Sequence, residues 1–354
     1  VDKHWGGAEH TKIIAGGTAA GLEQTTVSRP RRPHRPFAEK QPGQNQQQDS
    51  VYKTNLMLDT IVQITLYDWE DSSTIDLAFD EIRRLESLLS VEQEGSDLYR
   101  LAQAAGKEWV EISSETEEVL RLSKEYYTLS QGHFDVTIGP LVDLWNIHNG
   151  EGHYPTQEEL DVTLPLINSD DLLVEEGRAY LAREGMIANL GAIAKGYIAD
   201  RVKDLLVEQG VEHAVIDLGR NILLIGGRPD GSNFTVGVQD PNQEEGVLAD
   251  TVAASDKSVV TSGINERKFT YNGKEYHHVL DPFTGFPADT GLASVTILSD
   301  NSAQGDALST TCLLLGPEEG MQLIESLDGV EALFITTDGE LIPSSGYEAY
   351  RYQV

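Results

Sequence analysis

The sequence predicts an α+β fold in which mixed, largely antiparallel sheets pack against helices, and three observations carry that expectation. Asn272-Gly273 lies between Lys268-Phe269-Thr270-Tyr271 and Lys274-Glu275-Tyr276-His277, the signature of a type I′ hairpin. Gly219 separates two short apolar runs, residues 214–218 and 221–225, which read as a second pair of strands around a tight turn. Ile75, Ala78, Ile82, Leu85 and Leu89 recur at spacings of three and four, which marks an amphipathic helix. Hairpins mixed with helices argue against a doubly wound parallel sheet. No repeat period stands out.

Taken in order, residues 1–50 read as a disordered polar tail or linker. Arg29-Pro30-Arg31-Arg32-Pro33-His34-Arg35-Pro36 and the glutamine-rich stretch that follows cannot bury enough apolar surface to fold alone. The folded part is expected over residues 51–354, with order beginning near Tyr52. Ile61-Val62-Gln63-Ile64-Thr65-Leu66 is β-branched and partly alternating, hence a strand. Ser114-Glu115-Thr116-Glu117 matches a capping box for a helix that Gly132 would end, and Thr156-Gln157-Glu158-Glu159 matches another for a short helix. Residues 192–209 predict a helix stopped by Gly210. Residues 293–298 predict a strand, residues 302–315 a helix ending at Gly316, and residues 329–337 a last strand.

Composition narrows the function. The 354 residues suffice for a sizeable core, and the net charge is −32. Residues 1–50 carry seven Lys/Arg against five Asp/Glu, so the rest carries about −34. So acidic a surface repels nucleic acid and anionic lipid, and it forms no basic patch to bind them. It suits a solvated protein and can help hold a divalent cation. The single cysteine, Cys312, sits in an apolar run and is expected to be a buried thiol. No run of about 18 apolar residues is present, so no span is expected. The chain opens at Val1 without a signal-peptide core, so any export signal or lipid anchor is expected to have been removed or never to have existed.

Four clusters can carry chemistry. Gly132-His133-Phe134-Asp135-Val136-Thr137-Ile138-Gly139-Pro140-Leu141 makes a loop after a helix, where backbone N–H groups can meet a ligand; an ordinary turn is the plainer reading. Leu190-Gly191-Ala192-Ile193-Ala194-Lys195-Gly196-Tyr197 brings glycines and a cation to a helix start, although the GxxxxGK phosphate-loop spacing is missing. Asp306-Ala307-Leu308-Ser309-Thr310 puts a carboxylate and a hydroxyl four apart on one helix face, a hard-oxygen pair suited to Mg²⁺. An acidic residue favoured by the helix dipole is the competing explanation. The fourth cluster runs from Thr261-Ser262-Gly263 through Glu266-Arg267 to His277-His278-Val279-Leu280-Asp281-Pro282-Phe283-Thr284-Gly285. Adjacent histidines on a strand point to opposite faces, so one of the two would face a site.

Singly these signals are weak, but their order and wording are specific. Together with Met57-Leu58-Asp59-Thr60, Asp217-Leu218-Gly219 with Asn221, and Gln239-Asp240-Pro241, they resemble the FAD:protein FMN transferase family of the ApbE type over residues 52–345. The resemblance implies an α+β fold with FAD in a cleft between two lobes and Mg²⁺ at its pyrophosphate. It implies that Asp306, Thr310 and the carbonyl of Ala192 hold the metal, and that Met57, His133, Phe134, Asp135, Lys195 and His278 line the FAD site. His278 is the first choice for the base that activates an acceptor hydroxyl, with Asp306 the alternative. The implied partners are FAD and an acceptor flavoprotein carrying a Thr or Ser flavinylation site. The implied location is extracytoplasmic, on a tether not visible in this chain. Three departures stand out: FDPT reads Phe134-Asp135-Val136-Thr137, GGN reads Gly219-Arg220-Asn221, and the aromatic of TSGxYER is Asn265. An FAD pyrophosphatase releasing FMN and AMP, and a flavin-binding lipoprotein without catalysis, are the alternative readings.

Overall fold

The structure, a computed structural model, describes Ile13–Ile14, residues 50–147 and residues 150–353. The tail expected over residues 1–50 therefore lies, apart from Ile13–Ile14 and Ser50, outside the described residues. Ile13–Ile14 (β1) precedes the hairpin Ser50–Met57 (β2) and Thr60–Tyr67 (β3), then the helix Ser73–Leu89 (α1) and the short helix Asp97–Gln103 (α2). Val110–Glu111 (β4) leads to Ser114–Leu129 (α3), Gly139–Trp145 (α4) and Gln157–Thr163 (α5). The hairpin Leu172–Glu175 (β5) and Arg178–Leu181 (β6) is followed by Ala194–Glu208 (α6). Ala214–Asp217 (β7), Asn221–Ile225 (β8), Phe234–Gln239 (β9), Leu248–Ala254 (β10) and Ser258–Gly263 (β11) come next. The chain closes through Lys268–Tyr271 (β12), Lys274–His277 (β13), Leu292–Ser299 (β14), Ser302–Glu325 (α7), Glu331–Thr336 (β15) and Leu341–Pro343 (β16).

The α+β expectation holds. The main sheet runs β16-β15-β14-β11-β8-β7-β3-β2, and every neighbouring pair in it is antiparallel. Its strands alternate between two cores, as the period-2 geometry of a strand requires. Ala214, Ile216, Leu223 and Ile225 face the larger core, which α1, α6 and α7 cover. Val215, Ile222 and Leu224 face the smaller one, closed by Phe234 and Val236 of β9, Val252 of β10 and Tyr347. Central strands covered on both faces need residues that can be buried at consecutive positions, and β8 and β14 are buried throughout, while the edge strand β2 alternates with exposed positions. A third cluster, Leu141, Trp145, Ile147, Leu160, Phe269 and Leu280, joins α4, α5 and the β12–β13 hairpin.

Local signals are met with small shifts. Asn272 and Gly273 both have positive φ, at 51° and 78°, as a type I′ turn demands. Thr156 and Glu159 form the expected capping box on α5. On α3 the cap lies one residue earlier than Ser114: the Ser113 hydroxyl accepts from Thr116 N at 3.2 Å, and Ser114 turns to the Glu115 carboxylate. The partner that fixes this is distant in sequence, since the buried Asp97 carboxylate accepts from Ser113 N at 2.8 Å and from the Thr116 hydroxyl at 2.7 Å. The helix expected to end at Gly316 breaks there, with φ 82°, and resumes at Pro317, where a missing N–H costs nothing in a first turn. Cys312 is buried as expected. Among the described residues no helix is long and apolar enough to cross a membrane.

The β7–β8 turn yields a stability prediction. Asp217 accepts from Gly219 N at 2.9 Å, and burial pushes its carboxyl from 3.8 up to about 6. The folded state thus prefers the protonated acid, so this contribution to stability is full below pH 3.8 and lost as pH rises through about 6. Asp217→Asn keeps the acceptor and removes the charge. It is expected to raise stability by about 1–2 kcal/mol at pH 7.5, below the full linkage value because the carboxyl is partly exposed, and to do little at pH 4. Thermal melts at the two pH values check it.

Candidate active site

A cleft of about 410 Å³ lies between the larger core and the Trp145-centred cluster. Its charged floor comes from the crossing of α6 and α7. Gly196 permits that crossing: a β-carbon there would lie 2.2 Å from Ser302 O and 2.7 Å from Ala303 Cα. Asp200, one turn on, accepts from Ser302 N at 2.8 Å and Ala303 N at 2.9 Å, so α6 supplies the N-terminal cap of α7. Asp306 of α7 answers by accepting from Gly196 N at 2.9 Å. Gly196→Ala is therefore expected to force the helices apart, lowering Tm by several degrees and weakening ligand binding together. A melt and a binding titration on the same preparation check this.

The Asp306 carboxyl is 5% exposed, and burial drives its pKa up against the opposing pull of the Lys195 charge and the Gly196 N–H. Its ionised form therefore calls for positive charge in the cleft. Thr310, one helical turn on, also lines the cleft, with Ser262 Oγ 3.5 Å from its hydroxyl. Lys195 and Ala192 line the same floor.

His278 follows β13, and its ring reaches the cleft. Nδ1 lies 3.3 Å from Arg267 O, and because a carbonyl only accepts, Nδ1 carries the proton and Nε2 keeps its lone pair. Burial lowers the His278 pKa, with the neighbouring Arg267 and Lys195 charges adding to the effect and Glu266 opposing it. The imidazole is thus neutral at neutral pH. His277 does not line the cleft. Its Nε2 donates to Ala288 O at 3.0 Å, and burial brings its pKa down to about 4.

The loop after α3 brings His133, Phe134 and Asp135 to the wall. Phe134 is buried against Tyr126, and His133 meets Phe283 edge to face at 4.9 Å. Asp135 is committed internally: it accepts from Thr137 N and Oγ1 at 2.8 and 2.6 Å, and from Ser169 N and Oγ at 3.0 and 2.6 Å. Its side chain shapes the loop. Met57 is placed differently from the expectation, being packed in the larger core while Leu58 and Asp59 of the β2–β3 turn reach the cleft. Two successive positive φ values, 53° and 56°, turn the chain there and send Met57 inward. Sequence reasoning missed the apolar wall formed by Val142, Trp145, Ile147 and Ile198, and the acidic Glu86 and Glu92 at the rim. Trp145 could have been flagged as a large aromatic with a polar handle, here donating from Nε1 to Gly285 O at 2.7 Å.

Apolar and aromatic side chains beside a buried carboxylate, a hydroxyl and an ammonium make the lining of an enzyme cleft. The chain belongs to the ApbE family, whose model matches residues 58–334. It is 34% identical over 292 residues to an FAD:protein FMN transferase of Klebsiella pneumoniae, covering 82% of this chain and 90% of that protein. With the FAD:protein FMN transferase of Treponema pallidum it shares 32% identity over 313 residues, 83% of this chain and 86% of the other. Its fold is similar to the ApbE protein of Thermotoga maritima, with TM-score 0.79, 26% identity, and coverage of 86% of this chain and 100% of that one. The flavin transferase ApbE of Vibrio cholerae superposes with TM-score 0.78 at 26% identity, covering 86% and 99%.

Proposed function

We propose that this chain cleaves FAD between its phosphates and transfers the FMN half to a Ser or Thr hydroxyl of an acceptor flavoprotein, releasing AMP. The observation that carries the reading is the convergence of Asp306, Thr310, Lys195 and His278 on one cleft that also has an apolar wall for a flavin ring. Attack by the hydroxyl oxygen forms a new bond to the FMN phosphorus and breaks the bond to the AMP oxygen. The neutral His278, with Nε2 free, takes the hydroxyl proton, and the Lys195 ammonium draws the anionic diphosphate to the floor. Trp145 and Ile147 exclude water from the ring's side of the cleft.

The donor set fits Mg²⁺. One buried carboxylate, one hydroxyl and one carbonyl leave positions open, the arrangement Mg²⁺ takes when substrate phosphates and water complete its shell. Asp306, Thr310 and the Ala192 carbonyl would hold it, and the ion would screen the diphosphate and the charge moving onto AMP. Incubation of the chain with FAD, Mg²⁺ and candidate acceptors, read by mass spectrometry, tests the reading. An acceptor heavier by one FMN is expected; AMP and free FMN without a modified acceptor would instead identify a hydrolase, and intact FAD would identify a carrier.

A further inference from the structure

Arg220 lines the cleft, and this reading gives it no part. It sits in the β7–β8 turn with φ 64°, the left-handed region that strains a residue with a side chain. Glycine would hold that turn without strain. The backbone has no freedom to relax: Leu218 N donates to Asn221 O at 2.9 Å, and Thr261 N donates to Arg220 O at 2.9 Å. A strained backbone fixed on both sides presents this one side chain to the cleft.

The guanidinium lies over Gly263, where a β-carbon would stand 3.7 Å from Nη1. Its ion-pair partner among the described residues is Glu266, at 3.6 Å, too long for a hydrogen bond. Both side chains are about a quarter exposed, at 25% and 27%. The five guanidinium donors are thus held near a counter-charge without being spent. Glu266, Asp306 and His278 line the same cleft as Arg220. Three cations, Lys195, Arg220 and Arg267, line a cleft that Asp59, Glu86, Glu92, Asp135, Glu266 and Asp306 also line, so an anionic ligand there must be met by individually placed cations and not by an overall positive field.

We propose that Arg220 is a diphosphate-binding residue, its guanidinium leaving Glu266 to grip two oxygens of the FAD diphosphate. The planar fork suits paired phosphate oxygens as a lysine does not, and Glu266 holds it in place while the cleft is empty. The proposal rests on the reading of the cleft as an FAD site.

The test is binding, measured by flavin fluorescence on the full chain without Mg²⁺ or acceptor. Arg220→Gly is expected to weaken FAD by roughly 10- to 100-fold, the usual worth of a charge-assisted pair. It should leave riboflavin, which has the same ring and no phosphate, unchanged. Its FAD affinity should also depend less on salt, and its Tm should not fall, since glycine relieves the turn. Glu266→Gln, which removes the competing carboxylate, should tighten FAD. An FAD affinity within twofold of wild type in Arg220→Gly, or equal weakening of FAD and riboflavin, would overturn the proposal. The two readings fail separately. Arg220-dependent FAD binding without any FMN-modified acceptor sinks the transferase and spares Arg220. Normal transfer by Arg220→Gly at FAD concentrations well below saturation does the reverse.

Discussion

Asp306→Ala is expected to lower AMP release and FMN transfer by roughly 10³-fold or more while the protein stays folded. Losing a metal's carboxylate removes several kcal/mol of charge stabilisation, and each ~1.4 kcal/mol is a tenfold change in rate. The fold should tolerate the change because burial already disfavours the ionised acid, so its removal relieves one cost while leaving Gly196 N–H without an acceptor. Asp306→Asn sharpens the test. The amide oxygen still accepts from Gly196, so a normal melt with the same loss of rate would assign the defect to the metal rather than to the helix crossing. Near-normal AMP release by either variant at ordinary Mg²⁺ would sink the metal assignment.

His278→Gln carries the second large expectation, a fall in transfer of roughly 10²- to 10⁴-fold at saturating FAD, the usual worth of general base catalysis. FAD affinity should change little. Because burial lowers the His278 pKa, the imidazole is an available base in the neutral range, and the acid limb of the wild-type rate should lie below that of an ordinary histidine. The variant should lose that acid limb. His277→Gln is the internal control: its ring is outside the cleft, and a glutamine amide can donate to Ala288 O in place of Nε2. A damaging His277→Gln beside a harmless His278→Gln would mean that the base has been placed on the wrong histidine.

What the sequence made legible was local. The Asn272-Gly273 turn, the Thr156 capping box and the glycine break at 316 depend on residues within a few positions of one another, and all three are present. The Asp306–Thr310 pair was legible for the same reason, being one helical turn. Features set by distant partners were not. The cap of α3 moved to Ser113 because Asp97, sixteen residues away, takes its N–H. Asp135 carries the look of a ligand in its motif, yet Ser169, thirty-four positions on, turns its carboxylate to holding a loop. Met57 went inward because the positive φ values fall on Leu58 and Asp59, which no apolar pattern announces. The apolar lining was invisible because Trp145 of α4 and Ile198 of α6 come to one cleft only in the folded chain.

The α6–α7 crossing has a mechanical consequence. With a glycine in contact, a carboxylate from each helix tied to the backbone of the other, and no room for even a methyl group, the jaw that carries Asp306 and Lys195 is rigid. The opposite jaw rests on two seven-residue helices and a hairpin of four-residue strands, gathered around the Trp145 ring. Accommodation of substrates of different girth therefore falls to the aromatic jaw, while the reacting atoms are held against a surface that does not yield.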